Sequence, residues 1–424
     1  MRSATPKHFH PLLGRRIVDW VIEAVRALEP DPLVVVTSAA NAGAYDDVAV
    51  AVQDRPLGTG DAVRAAAGLL AGFDGDVLIL NGDAPALRAD VLRSLLDVHR
   101  REQATATVLS FEPDEPRHYG RILRDGNRLL RRIVEAVDAS EEELAVGEVN
   151  SGMYVVRSDA LWPVLERLEP HNKQGELYIT DAVGLLVDDG RPVAVHKAPD
   201  PLEAEGINTR AELAAAAALL RDRINTEHML AGTTIVDPAT TWIDHGVELE
   251  ADAVVHPFTV LRGQTRVGAG TEIGPHAVVD GAEIGPDALV GPFCYLRPGT
   301  VLAAGAKAGT FVEIKSTRVG ERSKVPHLSY LGDADVGDDT NIGAGAITAN
   351  YPHEPDRPKQ RTKIGKGVRT AVHNVFVAPV EIGDDSWTAA GSVITEDVPP
   401  GSLAGFPPRQ VTKEGYVRAK RDDH

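Results

Sequence analysis

Eight polar side chains gather where an otherwise regular repeat turns irregular: Arg297, Lys315, His327, Tyr330, Asn341, Asn350, Tyr351 and Lys359. Together they offer a proton acceptor, cations for an anion and several hydrogen-bonding groups. Acyl transfer to an amine needs an unprotonated nucleophile and help for the developing tetrahedral oxyanion. An imidazole titrates near about pH 6.5, so His327 suits the first task near neutrality. Taken singly, His327 reads first as a turn histidine making one hydrogen bond. A second set lies towards the start of the chain. Lys7 and Arg2 can neutralise phosphoryl oxygens, and Leu57-Gly58-Thr59-Gly60 can bring backbone donors to a base or sugar. Asp83 and Asn208 carry oxygens suited to a hard divalent cation. An aspartate after a strand is, by itself, more often a helix cap or turn residue.

The elements that must position these groups show two different periodicities. From Ile243 to Ile394 a small or branched apolar residue recurs at nearly every sixth position, as in Ile243, Leu249, Val255, Leu261, Val267, Ile273 and Val279. After five-residue steps the series resumes at Ile284 and Val319, with later runs from Val336 and Ile364. A six-residue unit supplies one short strand and its turn. Three units complete a triangular coil, and stacked coils make the core that no unit has alone. This predicts a parallel β-helix. A collagen strand would need glycine at every third residue, and that pattern is absent. The period leaves handedness open.

Ahead of the solenoid, short branched runs alternate with helical stretches. Helices are expected at Arg16 to Leu28 and Thr59 to Leu70, and strands at Leu33 to Thr37, Val77 to Leu80, Thr105 to Phe111, Asn150 to Val156 and Val193 to His196. This alternation predicts an α/β sandwich with a mostly parallel sheet and a ligand crevice beyond its strand ends, where Asp83 falls. The alanine-rich segment from Arg210 to Ile224 predicts one long helix between the two periodicities. The expected organisation is residues 1–208, a helical linker 209–229, the solenoid 230–398, and a cap and tail 399–424.

Composition narrows the functions further. The 424 residues suffice for two or three domains, and the formal net charge of −18 argues against a broad nucleic-acid surface. A single cysteine, Cys294, excludes an intramolecular disulfide and fits a reducing compartment. No apolar run approaches the roughly 18 residues of a membrane span, and the opening residues lack the apolar stretch of a secretory signal. A cytoplasmic location is expected.

In order along the chain, SATPK (3–7), QDRPLGTG (53–60), LNGDAP (80–85), YGRI (119–122), IVEAVDA (133–139), VNSGMY (149–154) and EGINTR (205–210) form an ordered set. FCYLRPGT (293–300), FVEIKST (311–317), HLSYLGDADVGDDTNIGAGAITANY (327–351) and APVEIGDDSWTAAGSVIT (378–395) form another. Together they resemble, over essentially the whole chain, the bifunctional N-acetylglucosamine-1-phosphate uridyltransferase/glucosamine-1-phosphate N-acetyltransferase family. The resemblance implies an α/β nucleotidyltransferase-like, Rossmann-like domain followed by a left-handed parallel β-helix of hexapeptide repeats, assembled as a homotrimer with acetyl sites between neighbouring solenoids. It implies acetyl transfer from acetyl-CoA to glucosamine-1-phosphate, then uridylyl transfer from UTP to N-acetylglucosamine-1-phosphate. The sugar nucleotide, UDP-N-acetylglucosamine, released together with pyrophosphate, serves peptidoglycan and lipopolysaccharide synthesis.

Carried over by matching position, Asp83 and Asn208 hold Mg²⁺, Lys7 contacts phosphate, and Gln53, Gly58, Thr59 and Gly60 hold the uridine. Gly120, Glu135 and Asn150 contact the sugar nucleotide. In the second half, the resemblance makes His327 the general base, helped by Glu313. Arg297 and Lys315 bind the sugar phosphate, and Tyr330, Asn341 and Lys359 line the sugar site. Asn350, Tyr351 and Ala390 receive the acetyl-CoA arm. Transfer is direct, so Cys294 is expected to be a filler rather than an acyl carrier.

The sequence departs from the family at several points. Family members carry a first strand and LAAGxGTRM before the basic PK segment, whereas this sequence begins at the final methionine. That predicts a shortened start or, as the alternative, a naturally remodelled acetyltransferase-only protein, with severely weakened uridylyl transfer for a chain beginning there. Asp61 replaces a usual histidine, Val137 a lysine and Val372 a serine, and ANYPHEPDRPKQRTKIG exceeds the usual loop. The basic tail 408–424 either approaches coenzyme A phosphates or is simply solvated. Three other readings remain compatible with the residues. One is a carbonic-anhydrase-like zinc enzyme, for which His327 and His373 are too separated to establish a site. The others are a non-catalytic scaffold, and a related transferase acting on another amino sugar or nucleotide.

Overall fold

A computed structural model describes residues 1–116, 118–126, 129–170, 175–351, 358–405, 410 and 412–414. The loop 352–357 and most of the basic tail lie outside the described residues. The chain divides into two compact units, Met1–Leu219 and Leu220–His424. No helix among the described residues is long and apolar enough to cross a membrane.

The first unit is an α/β sandwich whose layers follow from side-chain alternation along its strands. On Ala106–Phe111, Val108 faces one core while Leu109 and Phe111 face the other. Val149–Arg157 does the same, sending Tyr154 and Val156 to one side and Met153 and Val155 to the other. This period of two leaves both faces of the sheet apolar, so helices must cover both. Helices Ile17–Arg26 and Ala89–Arg101 cover one, burying Val21, Ala24 and Val25 and Val91, Leu92 and Leu95. Helices Ser158–Glu166 and Ile179–Asp188 cover the other through Leu161, Val164, Leu165, Ala182, Val183 and Leu186.

The expected strands are present, but the sheet is more mixed than the sequence suggests. Val193–Lys197 pairs parallel with Ala106–Phe111, and Val34–Thr37 pairs parallel with Ala49–Val52. Val149–Arg157 instead runs antiparallel to both Asp76–Ile79 and Ala106–Phe111. A parallel return needs a crossover of a dozen or more residues, usually a helix. Between Phe111 and Val149 the chain forms the antiparallel pair Arg121–Arg124 and Leu130–Val134, so the next strand enters the sheet reversed. The helix expected to reach Leu70 spans only Thr59–Ala65 and then continues as turns past Gly68. The linker helix is Arg210–Leu230.

The second unit is the expected left-handed parallel β-helix; among the described residues it has three parallel sheets of six, nine and eight strands and a two-stranded one, Trp387–Thr388 with Leu403–Ala404. The apolar period becomes stacked columns: Ile243, Leu261, Val279, Leu296, Ile314 and Leu331 pair on successive coils, and all are fully buried. Buried hydroxyls lock neighbouring coils. Thr271 Oγ1 donates to Gly285 O, Thr300 Oγ1 to Ile314 O, and Ser323 Oγ to Gly337 O, at 2.6–3.0 Å. Each hydroxyl therefore has a partner that offsets the cost of its burial. The sheet faces point outward, and any outward column is free to carry chemistry.

Candidate active sites

In the first unit, the loop after Asp76–Ile79 carries Asp83, and the backbone N–H of Ile207 donates to Asp83 O at 2.9 Å. That bond draws Asn208 alongside. The Lys7 ammonium then donates to Asp83 Oδ2 at 2.5 Å and to Asn208 Oδ1 at 2.9 Å. Two hard oxygens thus converge on one positive charge, and the three residues singled out in sequence do meet.

The segment Leu57–Gly60 is pinned to the start of the helix Ile179–Asp188. Leu177 N–H donates to Leu57 O at 2.7 Å, Gly60 N–H to Leu177 O at 2.8 Å, and Ile179 N–H to Thr59 Oγ1 at 3.1 Å. Gly58 has φ of 119°, and a Cβ there would lie 2.4 Å from Leu177 O, so both conformation and space demand glycine. Gln53 emerges from Ala49–Val52, and its Nε2 donates to Gly58 O at 3.2 Å and to Asp61 Oδ2 at 2.8 Å.

Further along the sheet, Asn150 N–H donates to Gly120 O at 2.8 Å, and Asn150 Nδ2 donates to Tyr154 Oη at 2.8 Å. A Cβ on Gly120 would sit 3.5 Å from the Glu135 carboxylate, so these residues share one patch. Thr180 Oγ1 donates to Glu135 at 3.3 Å, while burial pushes the Glu135 carboxyl above its ordinary range. Thr180 carries no signal in the sequence that links it to Glu135.

In the solenoid, one outward face gathers most of the polar residues. Glu313 and Tyr330 are register partners on adjacent coils, and Lys315 pairs with Gly332. Arg297 donates to Glu313 Oε1 at 2.9 Å. The Tyr330 hydroxyl and Asn350 amide crowd over Gly332, where an added Cβ would lie 2.4 Å and 2.8 Å from them. Asn350 is held by Asp333, and the Lys359 ammonium lies 5.6 Å from the centre of the Tyr351 ring. The nearby Lys359 ammonium lowers the Lys315 pKa, as expected when two cations crowd together, and the Asp333 carboxylate only partly opposes this.

His327 ends the strand Lys324–His327 at the neighbouring corner, with its side chain exposed. Its carbonyl accepts from Gly345 N–H, Ala344 O from His373 N–H, and Val372 O from Gly391 N–H. Lys324, Asn341, Arg369 and Trp387 are paired in turn. The residues three further on, His327, Ala344, Val372 and Ala390, therefore form one column. At about 4.8 Å per coil, His327 and Ala390 are about 14 Å apart. Asn341 belongs to the adjoining sheet rather than to the face bearing Tyr330 and Lys315, and the Glu313 carboxylate engages Arg297, not His327. Cys294 is buried, its thiol pushed up to about 12 by desolvation, which leaves no nucleophile there.

Fold and sites together define a two-part transferase: a nucleotidyltransferase domain followed by a β-helical acetyltransferase. The MobA-like NTP transferase domain matches residues 1–183. The Bifunctional protein GlmU of Streptomyces coelicolor is 45% identical over 446 residues, spanning 99% of this chain and 92% of that protein. The proteins of that name from Thermobifida fusca and Mycobacterium tuberculosis are 44% and 43% identical, over 99% of this chain and 92% and 90% of their own lengths. This chain belongs to the bifunctional GlmU family.

Proposed function

We propose that the chain converts glucosamine-1-phosphate to UDP-N-acetylglucosamine in two steps at separate sites, working in the cytoplasm. In the solenoid, the His327 imidazole takes a proton as the free amine attacks the thioester carbonyl of acetyl-CoA. The tetrahedral oxyanion collapses, the carbon–sulfur bond breaks, and the coenzyme thiolate leaves and is protonated. Arg297 and Lys315 hold the sugar phosphate, Tyr330, Asn341 and Lys359 line the sugar, and Glu313 assists His327 once phosphate occupies Arg297. Asn350, Tyr351 and Ala390 receive the pantetheine arm. The observation that carries this reading is the column from His327 to Ala390 beside a cationic face.

In the first unit, a phosphate oxygen of N-acetylglucosamine-1-phosphate attacks the α-phosphorus of UTP, and the bond to pyrophosphate breaks. Catalysis of this kind is chiefly positioning and charge stabilisation. Lys7 neutralises phosphoryl oxygen, with Arg2 a further candidate. Gln53, Gly58, Thr59 and Gly60 hold uridine, and Gly120, Glu135 and Asn150 the sugar. Asp83 and Asn208 would hold Mg²⁺, and their two oxygens, already converged on a cation, fit a hard ion that completes its shell with water and phosphate. When bound, that ion supplies charge neutralisation on the triphosphate.

A homotrimer follows from the same reading. Phe258, His276, Phe293 and Phe311 stack at one corner with ring centroids 4.7, 4.9 and 5.3 Å apart. All four have φ of 54–60°, a conformation that costs a side-chain-bearing residue roughly 1–2 kcal/mol. Phe293 and Phe311 remain 47% and 57% exposed. A strained, exposed aromatic column is supported as an interface between copies.

Separate assays of the two half reactions test this assignment. His327→Ala should abolish most acetyl transfer and leave uridylyl transfer intact, while Asp83→Ala should do the reverse. Acetyl transfer surviving in the histidine variant, or both half reactions failing together in a folded protein, would refute it.

A further inference from the structure

We propose that Asp61 is a positioning residue that fixes the orientation of the Gln53 carboxamide and thereby makes the site select uracil over cytosine. The proposal rests on the uridylyl-transfer reading. Gln53 Nε2 donates one hydrogen to Asp61 Oδ2 at 2.8 Å and the other to Gly58 O at 3.2 Å. A carboxylate and a backbone carbonyl can only accept, so the chemistry of the partners dictates which end of the carboxamide faces them. Turning the group over would set its oxygen against two others.

Both partners are themselves held. Asp61 lies in the helix Thr59–Ala65 with its side chain 14% exposed, and Arg64 donates to its other oxygen at 2.6 Å. Gly58 is fixed by Leu177 and by the Ala62 N–H, which donates to Gly58 O at 3.1 Å. What remains of Gln53 is its Oε1, which accepts no hydrogen bond from the described residues. A base read there must present a donor. Uracil has an N–H at N3, whereas cytosine has a lone pair at N3 and would leave two acceptors facing each other. An acceptor left unpaired in this way is the kind of mismatch that binding sites reject most strongly.

The test compares kcat/KM for UTP and CTP in the full chain, with N-acetylglucosamine-1-phosphate as the acceptor. Asp61→Asn is isosteric but can donate, so it tolerates either face of the Gln53 carboxamide. Its UTP-over-CTP preference should fall about tenfold or more. Asp61→Ser should relax in the same direction. Arg64→Ala, which leaves the Gln53 contact in place, should keep the preference within about threefold. A wild-type preference in Asp61→Asn with UTP turnover intact overturns the inference and leaves uridylyl transfer standing. Absence of nucleotidyl transfer by the wild-type chain with any nucleoside triphosphate overturns both. Unfolding of the first unit by both Asp61 substitutions overturns positioning in favour of a purely structural role.

Discussion

Replacing Gly332 by alanine should separate acetyl transfer from stability. Gly332 closes the strand Tyr330–Gly332, and its backbone is held by Thr348, whose Oγ1 accepts from Gly332 N–H at 2.7 Å and donates to Gly332 O at 2.9 Å. Its φ is not in the left-handed region, so alanine can take the same backbone conformation. The difficulty is outward: the new Cβ would lie 2.4 Å from the Tyr330 hydroxyl and 2.8 Å from Asn350 Nδ2. Non-bonded carbon contacts settle near about 3.5 Å, so the phenol must retreat by about 1 Å. The clashing atoms, which include Tyr330 Cζ at 2.8 Å, sit at the outer ends of two side chains, so the phenol ring must swing as a whole, and the coil core beneath is untouched. Alanine also removes about 0.4–1 kcal/mol of unfolded-state entropy, which offsets part of the strain. Global stability should therefore change by no more than about 1 kcal/mol. A displacement of about 1 Å in a positioned group costs on the order of a hundredfold in rate. Measured with glucosamine-1-phosphate and acetyl-CoA, kcat/KM should fall by about that factor, while uridylyl transfer in the same preparation serves as the internal control. Acetyl transfer within about threefold of the parent would show that Tyr330 and Asn350 do not position substrate. A loss of several kcal/mol in urea unfolding would show that Gly332 is needed by the fold instead.

Three further outcomes follow from the same geometry. Phe311→Glu places a charge in the aromatic column, so sedimentation should show loss of the trimer, with acetyl transfer falling about tenfold or more while uridylyl transfer persists. Glu135→Gln should weaken sugar-nucleotide turnover yet stabilise the first unit at neutral pH. Burial raises the folded-state pKa of this acid, so stability present below the unfolded value is lost as pH rises through the raised one; urea midpoints of parent and variant should converge near pH 4 and separate by pH 7. Cys294, with its thiol pushed up to about 12, should resist iodoacetamide at pH 8 in the folded chain and react on denaturation. Cys294→Ala should retain both activities, at about 1 kcal/mol of stability.

The solenoid was the more legible half because a single geometric rule governs it. Once every sixth side chain must point inward, the column through Ile243 and Leu296 follows, and so does the outward placement of Glu313, Lys315 and Tyr330. The antiparallel course of Val149–Arg157 was not legible, because its alternation of apolar residues is the same in either direction and only the connection before it decides. Individual site residues were recognisable where motifs carried them, as with Lys7, Asp83 and Asn208. Their supports were less so: Thr180 reaches Glu135 from 45 residues away with no spacing rule to link them, whereas Asp333 and Asn350 stand 17 apart, the one-coil separation that also pairs Tyr330 with Ile347.

Why the chemistry sits where the repeat is least regular follows from the same geometry. A uniform coil presents one kind of side chain down each outward column, which suits packing but cannot assemble an acid, a base and an anion site. The backbone ladder does not depend on the outward residue, so each coil can change it independently. Along one corner the sequence does this with Phe293, Phe311, Leu328 and Gly345, an aromatic column that narrows to glycine beside the His327 coil. On the adjacent edge, His327 is followed by Ala344, Val372 and Ala390, three small or short side chains. A single imidazole over a shallow apolar run leaves room for an extended thioester to lie along the coils. Ala344→Phe should then raise the KM for acetyl-CoA by about tenfold or more while leaving glucosamine-1-phosphate affinity within about threefold. Equal losses for both substrates would mean that the column lines the sugar instead.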